Sequence, residues 1–348
     1  MTETQFISRG EAHGPFFAGI DLGGTNIKVG VVDDLGRPLA WLSVPTECEK
    51  GPEDAARRMA EAVREAGRRA GLAESELARV GLGSPGTMDL AAGMLIEPVN
   101  LRGPKGDEWN NFPIRARVSH YCGLPVAFAN DAAAAAYGEF WVGSGRDFHS
   151  MVLFTLGTGI GCGIIIGDHS LDGENSHGAE CGHIVIDLAD DARVCGCGQP
   201  GHLEAYASAT AVIKRTREVL DAGRKSSVND RLAAGDELSP KLLAEEAERG
   251  DELSLELIIE TARYVAIGVV NLMHTIDPTG VLLGGAMTFG GHATELGRKF
   301  LARIKEEVRR RAFELLAERT IIDYASLGGD AGYIGAAGIA RVEHRNAR

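Results

Sequence analysis

Cys195 and Cys197 stand one residue apart in "CGCGQPGHLE", and His202 follows five residues later. Thiolate and imidazole ligands at this spacing suit zinc, which takes four tetrahedral nitrogen or sulfur donors. The glycines between them let so short a loop wrap an ion. A fourth ligand is available from His183, with eleven residues between it and Cys195, and Cys181 and His177 are in reserve if His202 points away. A Cys195–Cys197 disulfide would close a very small, strained ring. The six cysteines, at 48, 122, 162, 181, 195 and 197, lack the density of an oxidised scaffold. A reducing, cytoplasmic compartment is therefore expected, where a C-x-C pair favours metal.

Two glycine-rich turns offer a second chemistry. "DLGGTN" (21–26) and "LGTGIGCG" (156–163) each lie between apolar runs. Such turns let backbone N–H groups converge on an anion, and Thr25 and Thr158 add hydroxyl donors. Neither is a P-loop, because GxxxxGK[ST] is absent, and the second turn lacks the G-x-G-x-x-G spacing of a dinucleotide site. A tight hairpin requiring positive φ is the plainer alternative. Asp131 is a third candidate, where "PVAFAN" gives way to an alanine-rich helix. Aspartate is a favoured helix N-cap. A carboxylate at the C-terminal end of a strand is also placed to accept a proton.

The elements around these residues read as α/β. "FFAGIDLGGTNIKVGVVDDLGRPLAWLSVPT" predicts three strands, and "SMVLFTLGTGIGCGIIIGDHS" repeats strand, glycine turn, strand. That recurrence near the start of each half predicts an internal duplication. "EDAARRMAEAVREAGRRAGL" has amphipathic helical periodicity ended by Gly71. "ARVGLGSPGTMDL" reads as a strand running into a turn, and "IVID" as a strand between His183 and Cys195. Residues 205–275 read as mostly helical, broken at "AGRKSSVNDRLAAGDELSP". "TGVLLGGAM" is another apolar run, "TELGRKFLARIKEEVRRRAFELLAE" one long charged helix, and "DAGYIGAAGIARVEH" a small-residue helix. Alternating strands and helices predict layered α/β sheets.

The 348 residues suit two domains, and 44% hydrophobic content suits a globular chain. A net charge of −13 leaves no basic footprint for nucleic acid or an anionic membrane. An anionic substrate such as ATP then needs local N–H donors or a divalent cation. No apolar run approaches the roughly 20 residues of a membrane helix, and the N-terminal stretch lacks a signal-peptide pattern.

"DLGGTNIKVGVVD", "GLGSPGTMD", "NDAAAAAYGE", "LGTGIGCGIIIG", "GAECGHIVID", "CGCGQPGHLE" and "LLGGAM" occur in the order found in ROK proteins (repressors, open reading frames, sugar kinases). The chain resembles this family over about residues 16–341, most closely its glucokinase branch. The resemblance implies a two-lobed actin-like ATPase fold (ribonuclease H-like, duplicated) with the site in the cleft. The expected lobes are 1–130, with a closing helix at 330–348 packing back on it, and 131–329. A homo-oligomer, dimer or tetramer, is expected as well.

The resemblance also implies roles. Asp21, Gly23, Gly24, Thr25, Lys28, Thr158 and Gly159 would hold ATP phosphates, with Asp21 on Mg²⁺, and Gly284 and Gly285 would face the adenosine. Asp131 would be the general base. Gly83, Asn100, Asn130, Asp131, Glu180, His183 and Glu204 would contact the sugar. The family pattern joins the histidine matching His183 with three cysteines on structural zinc. Here His202 replaces the third cysteine, giving His183, Cys195, Cys197 and His202. One nitrogen of His183 would bind zinc while the other donates to a sugar hydroxyl. The chain also departs from the pattern at "RGPKGDE", inserted between Leu101 and Trp109.

The expected activity is ATP-dependent phosphorylation of a hexose, glucose at its 6-hydroxyl, as in glycolysis. Mannose, N-acetylhexosamines and a polyphosphate donor are near alternatives. ROK regulators carry a helix-turn-helix domain before the lobes. Only 15 residues precede Phe16, so a non-catalytic sugar sensor is the weaker expectation.

Overall fold

A computed structural model of the chain describes residues 5–98, 101–104 and 106–347. Two five-stranded sheets order it. In the first, β1 (Phe16–Leu22), β2 (Asn26–Val32) and β3 (Pro38–Pro45) form an antiparallel meander. After helix α1 (Pro52–Arg69), β4 (Leu77–Ser84) joins β1 in parallel. A small hairpin, β5 (Thr87–Asp89) and β6 (Met94–Glu97), and helix α2 (Ile114–Cys122) follow. Then β7 (Val126–Asn130) pairs in parallel with β4 and leads into α3 (Asp131–Trp141). The strand order is β3-β2-β1-β4-β7.

The second sheet starts with β8 (Ser150–Leu156), β9 (Ile160–Ile166) and β10 (His169–Ser170). Helices α4 (Glu204–Ala207), α5 (Ala209–Asp221), α6 (Val228–Ala233), α7 (Pro240–Glu248) and α8 (Glu252–Ile276) come next. β11 (Gly280–Gly284), α9 (Glu295–Arg311), α10 (Glu314–Arg319) and β12 (Ile321–Tyr324) complete it, and α11 (Ala331–Asn346) follows. Its order, β10-β9-β8-β11-β12, repeats that of the first sheet, with β8, β11 and β12 parallel. The same first-to-fifth order in both halves is the duplication that the two glycine turns signalled.

The sequence pattern differs from the structure in four places. "IVID" makes only an isolated bridge, Val185 to His202, because the chain there turns back on the cysteine loop. The long charged helix breaks after Arg311, and α10 begins two residues past Ala312. There Phe313 packs edge-on against His274 and donates its N–H to that ring. The polar stretch after α5 contains α6. The fourth is the division of the chain. One compact unit comprises Met1–Phe148, Gly163–Ala179 and Ala325–Arg348, the other His149–Cys162 and Glu180–Tyr324. The division thus falls after residue 148, not after 130, because α3 packs along α11.

Small residues bring α11 down onto β1 and β4. A Cβ on Gly19 would lie 1.8 Å from the Tyr333 carbonyl oxygen, and one on Gly81 1.8 Å from that of Ala336. On the α3 side, a Cβ on Gly335 would lie 1.6 Å from the Ala134 oxygen. Backbone meets backbone at each point. Buried Glu139, on α3, fastens the neighbouring loops. Its carboxylate accepts the N–H groups of Ser144 (2.9 Å), Ser326 (3.1 Å) and Leu327 (2.6 Å).

Asp33 fixes the β2–β3 turn. Fully buried, it accepts backbone N–H groups from His13 (3.2 Å), Leu35 (3.0 Å) and Arg37 (2.9 Å), and the Arg37 guanidinium at 2.6 Å. Burial alone would raise its pKa, but these donors outweigh burial and hold the carboxyl below its ordinary value. The folded pKa lies below the unfolded value of about 3.9. Its stabilisation is therefore complete above that value and lost as pH falls through the folded one. Asp33→Asn is expected to cost about 2 kcal/mol near neutrality in urea titrations, with the deficit shrinking toward about pH 2. An unchanged deficit across that range would show the carboxylate charge to be irrelevant.

Candidate active site and metal centre

In the first unit, strand register gathers the candidates at the C-terminal ends of β1, β4 and β7. Asp21 pairs with Gly83, and Gly83 with Ala129, the residue before Asn130. A Cβ on Gly83 would come 3.2 Å from the Ala134 Cβ, so glycine lets the first turn of α3 approach β4. Asp21 and Asn130 sit two strand spacings apart, about 10 Å. Asn100 lies outside the described residues.

Asn130 caps α3. Its Oδ1 accepts the N–H groups of Ala132 (2.8 Å) and Ala133 (3.3 Å). Capping fixes the orientation of the amide, leaving Nδ2 as its donor end. Asp131 is thus the first helical residue and not the cap; its Oδ1 accepts the Ala132 N–H at 2.8 Å.

The first glycine turn is tied back through its carbonyls. The Gly23 N–H donates to the Asn26 oxygen (3.0 Å), and buried Thr46 donates its hydroxyl to the Gly23 oxygen (2.6 Å) and its N–H to that of Thr25 (2.8 Å). Gly24 and Thr25 are left exposed. Behind them, burial raises the pKa of Asp21 while Lys28 opposes the rise. Lys28, paired opposite Asp21, donates Nζ to the Gly329 oxygen at 2.8 Å. A Cβ on Gly332 would lie 2.6 Å from the Asp21 Cγ. The start of α11 therefore sits against this carboxylate, a neighbour that sequence reading missed. Its one signal was the run of small residues.

In the second unit, β11 pairs with β8, setting Gly284 opposite Thr155. Gly285 has φ 89°, and its Cβ would lie 2.3 Å from the Leu156 oxygen. Gly284 and Gly285 thus lie directly beside the Gly157–Gly159 turn. The Ala209 N–H and the Thr210 hydroxyl hold that turn through the Gly157 and Thr158 oxygens, each at 2.9 Å. Glu204 also reaches it: one carboxylate oxygen accepts the Ile160 N–H at 2.9 Å.

The ligand atoms of His183, Cys195, Cys197 and His202 all lie within 4.8 Å of one another. His183 Nδ1 stands 3.2 Å from His202 Nδ1 and 3.7 Å from Cys195 Sγ, and Cys197 Sγ stands 3.3 Å from His202 Nδ1. Zinc with ordinary bond lengths needs tetrahedral ligand atoms about 3.3–3.8 Å apart. The donor set and spacing fit that ion. Burial pushes the Cys195 thiol up to about 12 and, with His183 nearby, lowers the pKa of His202. The other nitrogen of His183, Nε2, faces Glu180 at 3.9 Å. Neither reserve ligand joins the cluster. Cys181 is hydrogen-bonded to Cys162, and His177 Nδ1 faces the Asn175 oxygen at 2.6 Å.

Leu101 and Trp109, flanking "RGPKGDE", are buried, and the Trp109 indole donates to the Cys48 oxygen at 3.2 Å. Among the described residues, no helix is long and apolar enough to cross a membrane.

Two α/β units with a repeated strand order, each carrying a glycine turn between its first two strands, define an actin-like ATPase fold. The chain belongs to the ROK family, whose profile matches residues 17–343. It is 33% identical to a glucokinase of Streptomyces coelicolor, over 93% of this chain and 96% of that one. Its structure is similar to the ROK hexokinase of Thermus thermophilus, with a TM-score of 0.80, 32% identity, and 95% and 99% of the two chains covered. It is also similar to a ROK glucokinase of Streptomyces griseus in complex with glucose and AMPPNP. There the TM-score is 0.73, identity 32%, and coverage 94% and 99%.

Proposed function

We propose that this chain transfers the γ-phosphoryl group of ATP to the 6-hydroxyl of glucose, with Asp131 as general base. The observation carrying this reading is the junction of β7 and α3, where Asn130 is the N-cap and the Asp131 carboxylate stands as the first helical residue at the C-terminal end of the strand. Full-length similarity to glucokinases, one solved with glucose and AMPPNP, supports the same reading.

Phosphoryl transfer needs in-line positioning, charge neutralisation and a proton acceptor. Asp131 takes the hydroxyl proton. Asn130 presents Nδ2 to the sugar, with Gly83, Asn100, Glu180, His183 and Glu204 as further contacts. The turns at Gly23–Thr25 and Thr158–Gly159 receive the phosphates, and Gly284 and Gly285 the adenosine. Lys28 is proposed to add positive charge there. Asp21, penalised by burial, gains from a divalent cation, which fits Mg²⁺ beside the phosphates.

A zinc ion on His183, Cys195, Cys197 and His202 would supply structural cross-linking. It would also fix the His183 tautomer, so that Nε2–H points toward Glu180 and a sugar hydroxyl. Elemental analysis should find about one zinc per chain. Because the thiols must lose protons to bind, retention should fall as pH drops. Chelation should weaken glucose binding and lower the melting temperature. Metal-free protein of unchanged stability and affinity would refute this role.

The function is tested by ADP release across a hexose panel with ATP and Mg²⁺. Glucose is expected to give the highest kcat/KM. A higher value for mannose or an N-acetylhexosamine would reassign the sugar, and turnover only with polyphosphate would reassign the donor. Sugar binding without turnover would instead indicate a sensor.

A further inference from the structure

The geometry assigns Glu204 a second role, that of a positioning residue tying the His/Cys cluster to the Thr158–Gly159 turn. One carboxylate oxygen accepts the Ile160 N–H at 2.9 Å; the other lies 3.4 Å from Cys195 Sγ. That sulfur has no proton to donate once it binds zinc, so in the zinc-loaded protein the tie runs through the chain from His202 to Glu204. Gly159 is shaped to that carboxylate. A Cβ there would lie 2.4 Å from Oε2, and Gly159 is absent from the glycines with left-handed backbone. Room for Glu204, rather than positive φ, is what this glycine provides.

The segment carrying Glu204 is stiff. His202, a cluster ligand, bridges Val185, and the Leu203 N–H donates to the Ile184 oxygen at 2.9 Å. Leu203 is fully buried, its Cδ2 2.5 Å from where a Gly268 Cβ would stand. Three consecutive residues thus place a ligand at one end, an anchor in the middle and a carboxylate brace on the turn at the other. Fixing the cluster fixes the brace, and the brace fixes the turn. That the turn carries ATP phosphates rests on the proposed kinase reading; the mechanical link does not.

Hydrogen exchange tests the link without nucleotide or sugar. In the zinc-loaded protein, Glu204→Ala should speed exchange of the Ile160 amide about tenfold, and chelation of wild type should do the same. Exchange in α8 should stay unchanged. Glu204→Gln retains an acceptor for the Ile160 N–H and should protect it as wild type does. Glu204→Asp, one methylene short, replaces the alanine variant if that fails to fold. AMPPNP·Mg²⁺ affinity, measured without sugar, should fall about tenfold in Glu204→Ala and on chelation, and the two losses should not add. A residue that touches only the sugar would leave both readouts alone. Unchanged Ile160 exchange in Glu204→Ala, or on chelation, overturns the link. Faster exchange in a protein whose wild type binds no AMPPNP would uphold the link and sink the kinase reading.

Discussion

Asp131→Asn is expected to lower kcat about a thousandfold while leaving glucose affinity within a few-fold of wild type. The substitution is nearly isosteric, and its side-chain oxygen can still accept the Ala132 N–H. The cap on α3 belongs to Asn130 and is untouched. The change therefore removes a proton acceptor while leaving the Asn130 cap and an acceptor for the Ala132 N–H in place. Turnover by coupled ADP release and binding by calorimetry separate the two quantities. Activity within about tenfold of wild type would assign the base elsewhere, because a positioned general base contributes at least a hundredfold, roughly. Loss of glucose binding together with turnover would make Asp131 a binding residue first.

The largest stability effect is expected at the seat of α11. Gly81→Ala would place a methyl group 1.8 Å from the Ala336 oxygen, a backbone atom that moves only with its helix. Overpacking against side chains costs about 1–3 kcal/mol. Here a rigid helix must lift from the sheet, so about 3 kcal/mol or more is expected. Gly67→Ala is the control. It lies within α1, and its Cβ would meet Leu77 at an ordinary 3.5 Å. That change should be neutral or stabilising by up to about 1 kcal/mol. Equal urea midpoints for the two variants would show that α11 does not need the glycine.

Much of this was legible because the chemistry is local. The two glycine turns, the Asn130–Asp131 junction and the C-x-C segment each announce themselves within ten residues. His202 as a cluster member followed from spacing and ligand type, and its Nδ1 does face His183 and Cys197. What stayed hidden depends on partners far along the chain. The Glu139 carboxylate is satisfied by the N–H groups of Ser326 and Leu327, which no pattern around Glu139 indicates. Nothing in the strands around Gly19 and Gly81 signals that α11 is laid on them. Gly159 read as a turn glycine, while its real neighbour is Glu204. The choice of Asn130 over Asp131 as cap was hidden for another reason. It rests on a one-residue helix boundary, and both side chains can cap.

The return of α11 to the first sheet bears on how the protein is made. Phe17, Val32 and Ala127 share a buried cluster with Tyr333, Ile334, Ala337 and Ala340. A ribosome releases β1, β2 and β7 well before it polymerises α11, with every strand and helix of the second unit in between. During that interval the nascent first sheet presents an apolar face with no cover of its own. Domain-by-domain completion from the N-terminus is the common course for multidomain chains; here the first unit receives its α11 cover only after the second has been synthesised. A nascent chain stalled before residue 331 should keep the first sheet open to chaperones and proteases. Release of the α11 segment should close it in a single late step.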